Sequence, residues 1–201
     1  MELVVIIAVA LGLALALQQW IVKPYDVPSG SMEPTLQIGQ HYLVNRLGME
    51  INGPHVGEIA VFHPPADAEA SVCGPIPHVS TPGAAACSQP VPHEASNDFV
   101  KRIVAGPGDE MYIKEGHVFR RAAGKSSFVA EKDSYIKPCE DPSELDCNYP
   151  KPIKVPPGHW FMMGDNRGGS DDSRYWGPVP TGWIIGGAIA TYWPPDRIGT
   201  L

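Results

Sequence analysis

The chain has 201 residues, a formal net charge of -7 at pH 7, 21 glycines and 22 prolines. That length accommodates one domain and an anchor, and the glycine and proline content suits short strands joined by turns rather than a helical bundle. An acidic balance with no run of lysine or arginine excludes nucleic acid as the main partner.

The first predicted element is Leu3 to Val22, which carries no formally charged side chain. As a helix at about 1.5 Å per residue it covers roughly 30 Å, the thickness of a hydrocarbon core. Residues 1–23 are therefore expected to form one transmembrane anchor, with Trp20 at the interface. Ala8-Val9-Ala10 and Ala14-Leu15-Ala16 also match the small-x-small pattern of a removable signal peptide. Glu2 in place of a basic start, and an apolar run that continues past both sites, favour retention. Lys23 lies beyond the run, so charge alone does not orient it.

Residues 24–201 read as a mostly β domain. Pro24 and Pro28 hold an extended lead-in. His41 to Val44 and Glu58 to Phe62 are predicted strands, each following a glycine. Residues 64–97, rich in proline, alanine and serine, read as a surface insertion. Asp98 to Val104 is a strand stopped by Gly106-Pro107-Gly108-Asp109, and Met111 to Arg120 a hairpin turning at Glu115-Gly116. Lys125 to Lys154 is polar and irregular. Order returns at His159 to Met163 and at Gly182 to Trp193, the latter read as a buried strand.

The four cysteines allow three pairings. The local one, Cys73 with Cys87 and Cys139 with Cys147, closes two poorly ordered loops; four free thiols are the alternative. No Cys-x-x-Cys occurs, which excludes a zinc ribbon or a thioredoxin motif. Disulfides would put the domain outside the cytoplasm. No metal and no cofactor are expected.

Chemistry concentrates in three stretches. Pro28-Ser29-Gly30-Ser31 is a tight turn beside the anchor. A serine hydroxyl is a poor nucleophile until a base takes its proton; Ser29 can help the Ser31 backbone N–H bind an oxyanion. None of the histidines forms a known hydrolase signature. In Asp98-Phe99-Val100-Lys101-Arg102, alternation puts Lys101 with Phe99 and Ile103, and Arg102 on the other face. Arginine cannot usefully deprotonate, whereas a buried lysine can. A lysine near about 10.4 must fall about 3 units, at ~4 kcal/mol, to be largely neutral at pH 7, and burial can supply that. In Gly164-Asp165-Asn166-Arg167-Gly168-Gly169-Ser170-Asp171-Asp172-Ser173-Arg174, Ser170 can orient a neutral lysine and Asp172 can pair with Arg174. A calcium loop starting at Asp165 would put the cation Arg167 where an acceptor is needed.

As an ordered set, Pro28-Ser29-Gly30-Ser31-Met32-x-Pro34-Thr35, Gly57 to Phe62, Phe99-Val100-Lys101-Arg102, Pro107-Gly108-Asp109, Gly164 to Ser170, Asp172-Ser173-Arg174 and Tyr175-Trp176-Gly177 resemble the boxes of bacterial type I (leader) signal peptidases. The resemblance implies an antiparallel β catalytic domain with a variable second β subdomain, here residues 116–156, behind one transmembrane helix. It implies a Ser31 nucleophile and a Lys101 general base, with Ser29 and Ser31 in the oxyanion hole and Ser170 positioning the lysine. Asp165, Arg167, Asp172 and Arg174 would be structural supports, and Val27 and Val100 would line a pocket for small residues. The implied substrates are exported preproteins cut after a small-x-small motif, by a single-pass membrane enzyme whose catalytic domain is extracytoplasmic. From position alone, Met32, Leu36 and Ile38 are expected to dip into the bilayer interface. Two rival readings compete with it: a self-cleaving Ser/Lys repressor, which needs a DNA-binding domain in place of the apolar helix, and a non-enzymatic binding domain, which has no use for Ser31 and Lys101.

Overall fold

The computed structural model describes residues 2–66, 68, 72–73, 76–77 and 83–201, without the side chains at 8, 13–20, 72 and 76–77. The expectation for Trp20 and much of the insertion therefore lie outside the described residues. Helix α1 spans Glu2–Trp20. It ends before the predicted limit because Pro24 disfavours helix at Lys23, and Val22 instead opens β1 (Val22–Asp26). The consecutive residues Leu3 to Ile7 are all 58–70% exposed, so this part of the helix has no buried face. Among the described residues, no helix is long and apolar enough to cross a membrane.

The elements that follow are β2 (His41–Asn45), α2 (Arg46–Asn52), β3 (Ile59–Phe62), the short pair β4 (Val72–Cys73) and β5 (Ile76–Pro77), β6 (Phe99–Ala105), β7 (Glu110–Lys114), β8 (His117–Arg121), β9 (Val129–Ala130), β10 (Tyr149–Lys154), β11 (His159–Met163), α3 (Ser173–Trp176), β12 (Val179–Pro180), β13 (Ile184–Trp193) and β14 (Gly199–Thr200). An eight-stranded sheet runs β1-β2-β13-β3-β6-β11-β12, with β14 added to β13, and a four-stranded sheet runs β10-β7-β8-β9. All the pairings between these named strands are antiparallel, as expected for the fold class.

Strand β6 organises the molecule. It lies between β3 and β11, and every residue from Val100 to Ala105 is buried. One face, with Ile59, Val61 and Val100, packs under Val27, Met32, Leu36 and Tyr42. The other, with Ala60, Phe62 and Ile103, packs under Met162 and Trp176. The register puts Lys101 opposite Ala60, so the lysine enters a strand already covered on its flanks. A third cluster, including Val104, Met111, Ile113, Val118, Tyr149 and Phe161, joins the small sheet to the large one.

The hairpin β7–β8 turns at Glu115 and Gly116 as read, with φ of 54° and 81°; positive φ at both central residues is the turn that matches strand twist. Several expectations need correction. Met32 and Leu36 are fully buried, and only Ile38, at 64% exposure, faces outward. The insertion is not confined to the surface, since Ala68, Ala86, Cys87 and Val91 are buried. β13 is half-exposed rather than buried, because Ile189, Tyr192 and Trp193 project from it. α2 and β10 were not foreseen. Asn45 caps α2 by accepting from the Gly48 N–H at 3.0 Å, and β10 sits on a sheet edge, where its two prolines are tolerated.

Candidate active site

The Ser31 turn is a single 3₁₀ turn, Gly30–Met32. Burial of Met32 and Leu36 pins it to the sheet. Asn166, which sequence reasoning assigned no role, clamps it from the opposite loop. Its side-chain amide donates to the Gly30 carbonyl at 3.0 Å, and its backbone N–H donates to the Ser31 carbonyl at 3.1 Å. Ser31 is buried at 8% exposure.

The fold brings Lys101 to this serine. The Lys101 ammonium donates to Ser31 Oγ at 2.8 Å although the residues are 70 apart in sequence, and the Ser29 hydroxyl donates to the same oxygen at 3.4 Å. The lysine is 5% exposed and lies 5.3 Å from the centre of the Phe99 ring. Burial lowers its pKa from 10.5 to about 8, against the carboxylates of Asp172, Asp171 and Asp165, which raise it. At pH 7 about one amine in ten is then neutral.

Ser170 is buried, but its hydroxyl has no hydrogen-bond partner among the described residues, so the expected contact with the lysine is not made in this state. It lies instead against Gly164, where an added Cβ would overlap both Ser170 Oγ and the Ser31 carbonyl oxygen. Gly164→Ala is expected to cost about 1–3 kcal/mol by overpacking and to depress turnover at the same time. Thermal melting and a cleavage assay check this; wild-type values in both would show that the two loops are not tightly apposed.

The four predicted supports are buried around this pair. Asp165 takes a two-pronged contact from Arg102, at 2.9 Å and 2.6 Å, and a hydrogen bond from Thr35 at 2.6 Å. Arg102 is thereby held on the face of β6 away from Lys101, with its guanidinium 3.8 Å from the centre of the Tyr135 ring. Arg167 donates to the carbonyls of Gly164 and Gly116. Asp172 accepts from Arg174 at 2.8 Å and 2.9 Å and from the Gly164 N–H at 3.0 Å, which closes the loop on itself.

A cleft of about 610 Å³ opens over the serine and lysine, lined by Tyr25, Asp26, Ser29, Asp98, Phe99 and Val100 among others, with no histidine among the described lining residues. Val100 is among the residues that line this cleft. Val27 is 2% exposed and sits in the core cluster behind the cleft instead. A larger cavity of about 720 Å³ lies by Asn45, Met49, His55 and Arg102, with no serine, threonine or tyrosine among its described lining residues. The cysteines pair locally, Cys73 with Cys87 and Cys139 with Cys147.

A buried hydroxyl held against a loosely protonated amine is the arrangement by which serine hydrolases without histidine activate a nucleophile. The family described as "Signal peptidase, peptidase S26" matches residues 1–193, and the chain belongs to it. The chain is 31% identical over 201 residues to a probable signal peptidase I-1 of Synechocystis, covering all of this chain and 86% of that one. It is 30% identical to a signal peptidase I of Leptolyngbya laminosa, covering all of this chain and 83% of the relative. A solved signal peptidase I from Enterococcus faecalis superposes with a TM-score of 0.37 at 18% identity, over 67% of this chain and 95% of that one, a likeness too weak to add to the fold described above. The protein is a serine endopeptidase of the signal peptidase I type.

Proposed function

We propose that the chain is a single-pass membrane protease that releases signal peptides from exported preproteins after a small-x-small motif, with Ser31 as nucleophile and Lys101 as general base. The 2.8 Å contact between the two buried side chains carries this reading. Neutral Lys101 takes the Ser31 proton as Oγ attacks the scissile carbonyl carbon. The Ser31 N–H, with the Ser29 hydroxyl rotated off Oγ, donates to the oxyanion. The Lys101 ammonium returns the proton to the leaving amine, which departs as the ester forms. Lys101 then deprotonates the water that hydrolyses the ester. Asp165, Arg167, Asp172 and Arg174 hold the loops, Val100 borders the pocket for the small residue, and Ser170 positions the lysine.

Residues 1–23 are the anchor and residues 24–201 the catalytic domain, with 64–97 as its insertion and 116–156 as its variable subdomain. Support for the anchor comes from the exposure of Leu3 to Ile7, Val9 and Leu11 on α1, which water does not favour. The outward-facing Ile38, Tyr192, Trp193 and Ile198 extend that apolar character onto the domain. Disulfides favour the extracytoplasmic side. The partners are preproteins and the lipid bilayer, not nucleic acid.

The test is cleavage of a model preprotein in detergent by wild type, Ser31→Ala and Lys101→Ala. Both variants are expected to be inactive, and turnover by either removes that residue from the mechanism. The base must be deprotonated to act, so wild-type kcat/KM is expected to rise with unit slope up to an apparent pKa near 8 and to stay high on the alkaline side. A profile governed by a group near about 6.5 would point to a histidine.

A further inference from the structure

The cleft over Ser31 does not end at the loop that faces it. A smaller cavity of about 240 Å³ adjoins it, lined by Asn166, Gly168 and Gly169 from that loop and by Lys137, Glu140 and Glu144 from the small subdomain. Gly169 lines both cavities, so the two meet beside the nucleophile. Asn166 is the residue that holds the Ser31 turn through the carbonyls of Gly30 and Ser31. The wall opposite is fixed in place. The Lys137 N–H donates to the Asp165 carbonyl at 2.9 Å, and the Arg167 N–H donates to the Lys137 carbonyl at 3.0 Å. Glu140 and Glu144 lie within the loop that the Cys139–Cys147 disulfide closes. A Cβ on Gly169 would come within 2.7 Å of the Asn166 side-chain nitrogen that grips Gly30. A bare residue there keeps both the clamp intact and the junction open.

We propose that this second cavity is the exit subsite, which receives the residues after the scissile bond, the start of the released chain. The proposal rests on the reading that Ser31 and Lys101 cut a substrate lying in the cleft. The residue before the bond sits beside Val100, so the chain after it must leave by another end, and Gly169 marks where the cleft opens on. The leaving amine takes its proton from Lys101, and Gly169 lines the same cleft as that lysine. At about 3.3 Å per residue, an extended chain passing Gly169 enters the cavity within about two or three residues. Lys137, Glu140 and Glu144 are exposed. Charges of both signs at the rim suit a polar chain that stays hydrated, since an apolar one would strip their water at a cost. Binding here assists acyl transfer alone, because this part of the substrate has left before water attacks the ester.

The experiment uses full-length enzyme in detergent. The substrates share one acyl portion, carried either on peptides with one to five residues after the scissile bond or on a methyl ester. Wild-type kcat/KM is expected to rise about tenfold as the first few residues after the bond are added, and then to level off. Gly168→Leu fills the cavity without overlap, since the nearest atom to an added Cβ beyond its chain neighbours is Cys139 Cα at 3.6 Å. In that variant kcat/KM for the longest peptide should fall about tenfold, towards the value for the shortest, while ester cleavage changes by less than about twofold. Should the leucine variant melt early, Glu140→Trp crowds the rim from an exposed position and carries the same comparison. A wild-type rate indifferent to the residues after the bond overturns the proposal. So does a filled cavity that leaves the long peptide untouched, or one that slows peptide and ester alike. Ser31→Ala and Lys101→Ala keep the two ideas apart. If either cleaves, the dyad reading fails; if both are dead while the wild-type rate ignores peptide length, only the exit subsite fails.

Discussion

Lys101→Arg is expected to lower kcat by about 10³- to 10⁴-fold, the worth of a general base that activates a nucleophile, even though it keeps the positive charge. A guanidinium has no neutral form in the working pH range and no lone pair to accept the Ser31 proton. The wild-type amine differs because burial has already brought it down to about 8. Comparing Lys101→Arg with Lys101→Ala in the same assay, alongside thermal melts to show that both are folded, makes the test. A folded arginine variant with near-normal turnover would mean that the proton goes elsewhere.

Asp172→Asn is expected to be the most damaging conservative change to stability, at about 3–5 kcal/mol, because it leaves a buried cation without its counter-charge. Asp172 and Arg174 are both 0% exposed. The other hydrogen bonds from the Arg174 side chain among the described residues go to the carbonyls of Asp146, Arg167 and Ser170, which are dipoles rather than charges. In a domain of this size that loss reads as a fall in Tm of roughly 10 °C or more. Adding Arg174→Met should cost less than the sum of the single changes, since both halves of the pair are then gone. An additive double variant would show that the two charges are not coupled. Burial pushes the Asp172 carboxyl up, but the Arg174 charge and the hydrogen bonds from Arg174 and Gly164 outweigh it and hold the pKa below the usual carboxylate range. Its folded pKa is depressed, so this stabilisation is present above the ordinary carboxylate pKa near about 4 and is lost as pH falls through the folded value.

The strands that bear the chemistry were legible because their signals are local. Alternation puts Lys101 and Arg102 on opposite faces, the inability of arginine to deprotonate singles out the lysine, and Glu115-Gly116 sets the hairpin turn. The misreadings share one cause. β10 contains Pro150 and Pro152, which argue against a strand unless it lies on an edge, and the edge is a property of the sheet. α2 is seven residues long, too short for an apolar period to stand out. Nearness to Ser29 in sequence suggests Val27 as pocket lining, but its side chain packs into the core with Met32, Leu36 and Tyr42. Asn166 carries no assignable role in the sequence because its partners lie 135 and 136 residues away, and an amide has no chemistry of its own to announce.

From the sequence by itself came the kinds of groups available: a hydroxyl in a tight turn, an amine able to lose its proton, an arginine unable to, cysteines near enough to pair, and an apolar run at the start. Those depend on residue type and near neighbours. Only the tertiary structure decided that the hydroxyl and amine meet at 2.8 Å, that the amine is buried enough to be lowered to about 8, and that Arg102 is tied away to Asp165. Desolvation and Coulomb terms sum over whatever the fold packs around a group, and here the partners come from strands and loops scattered along the whole chain.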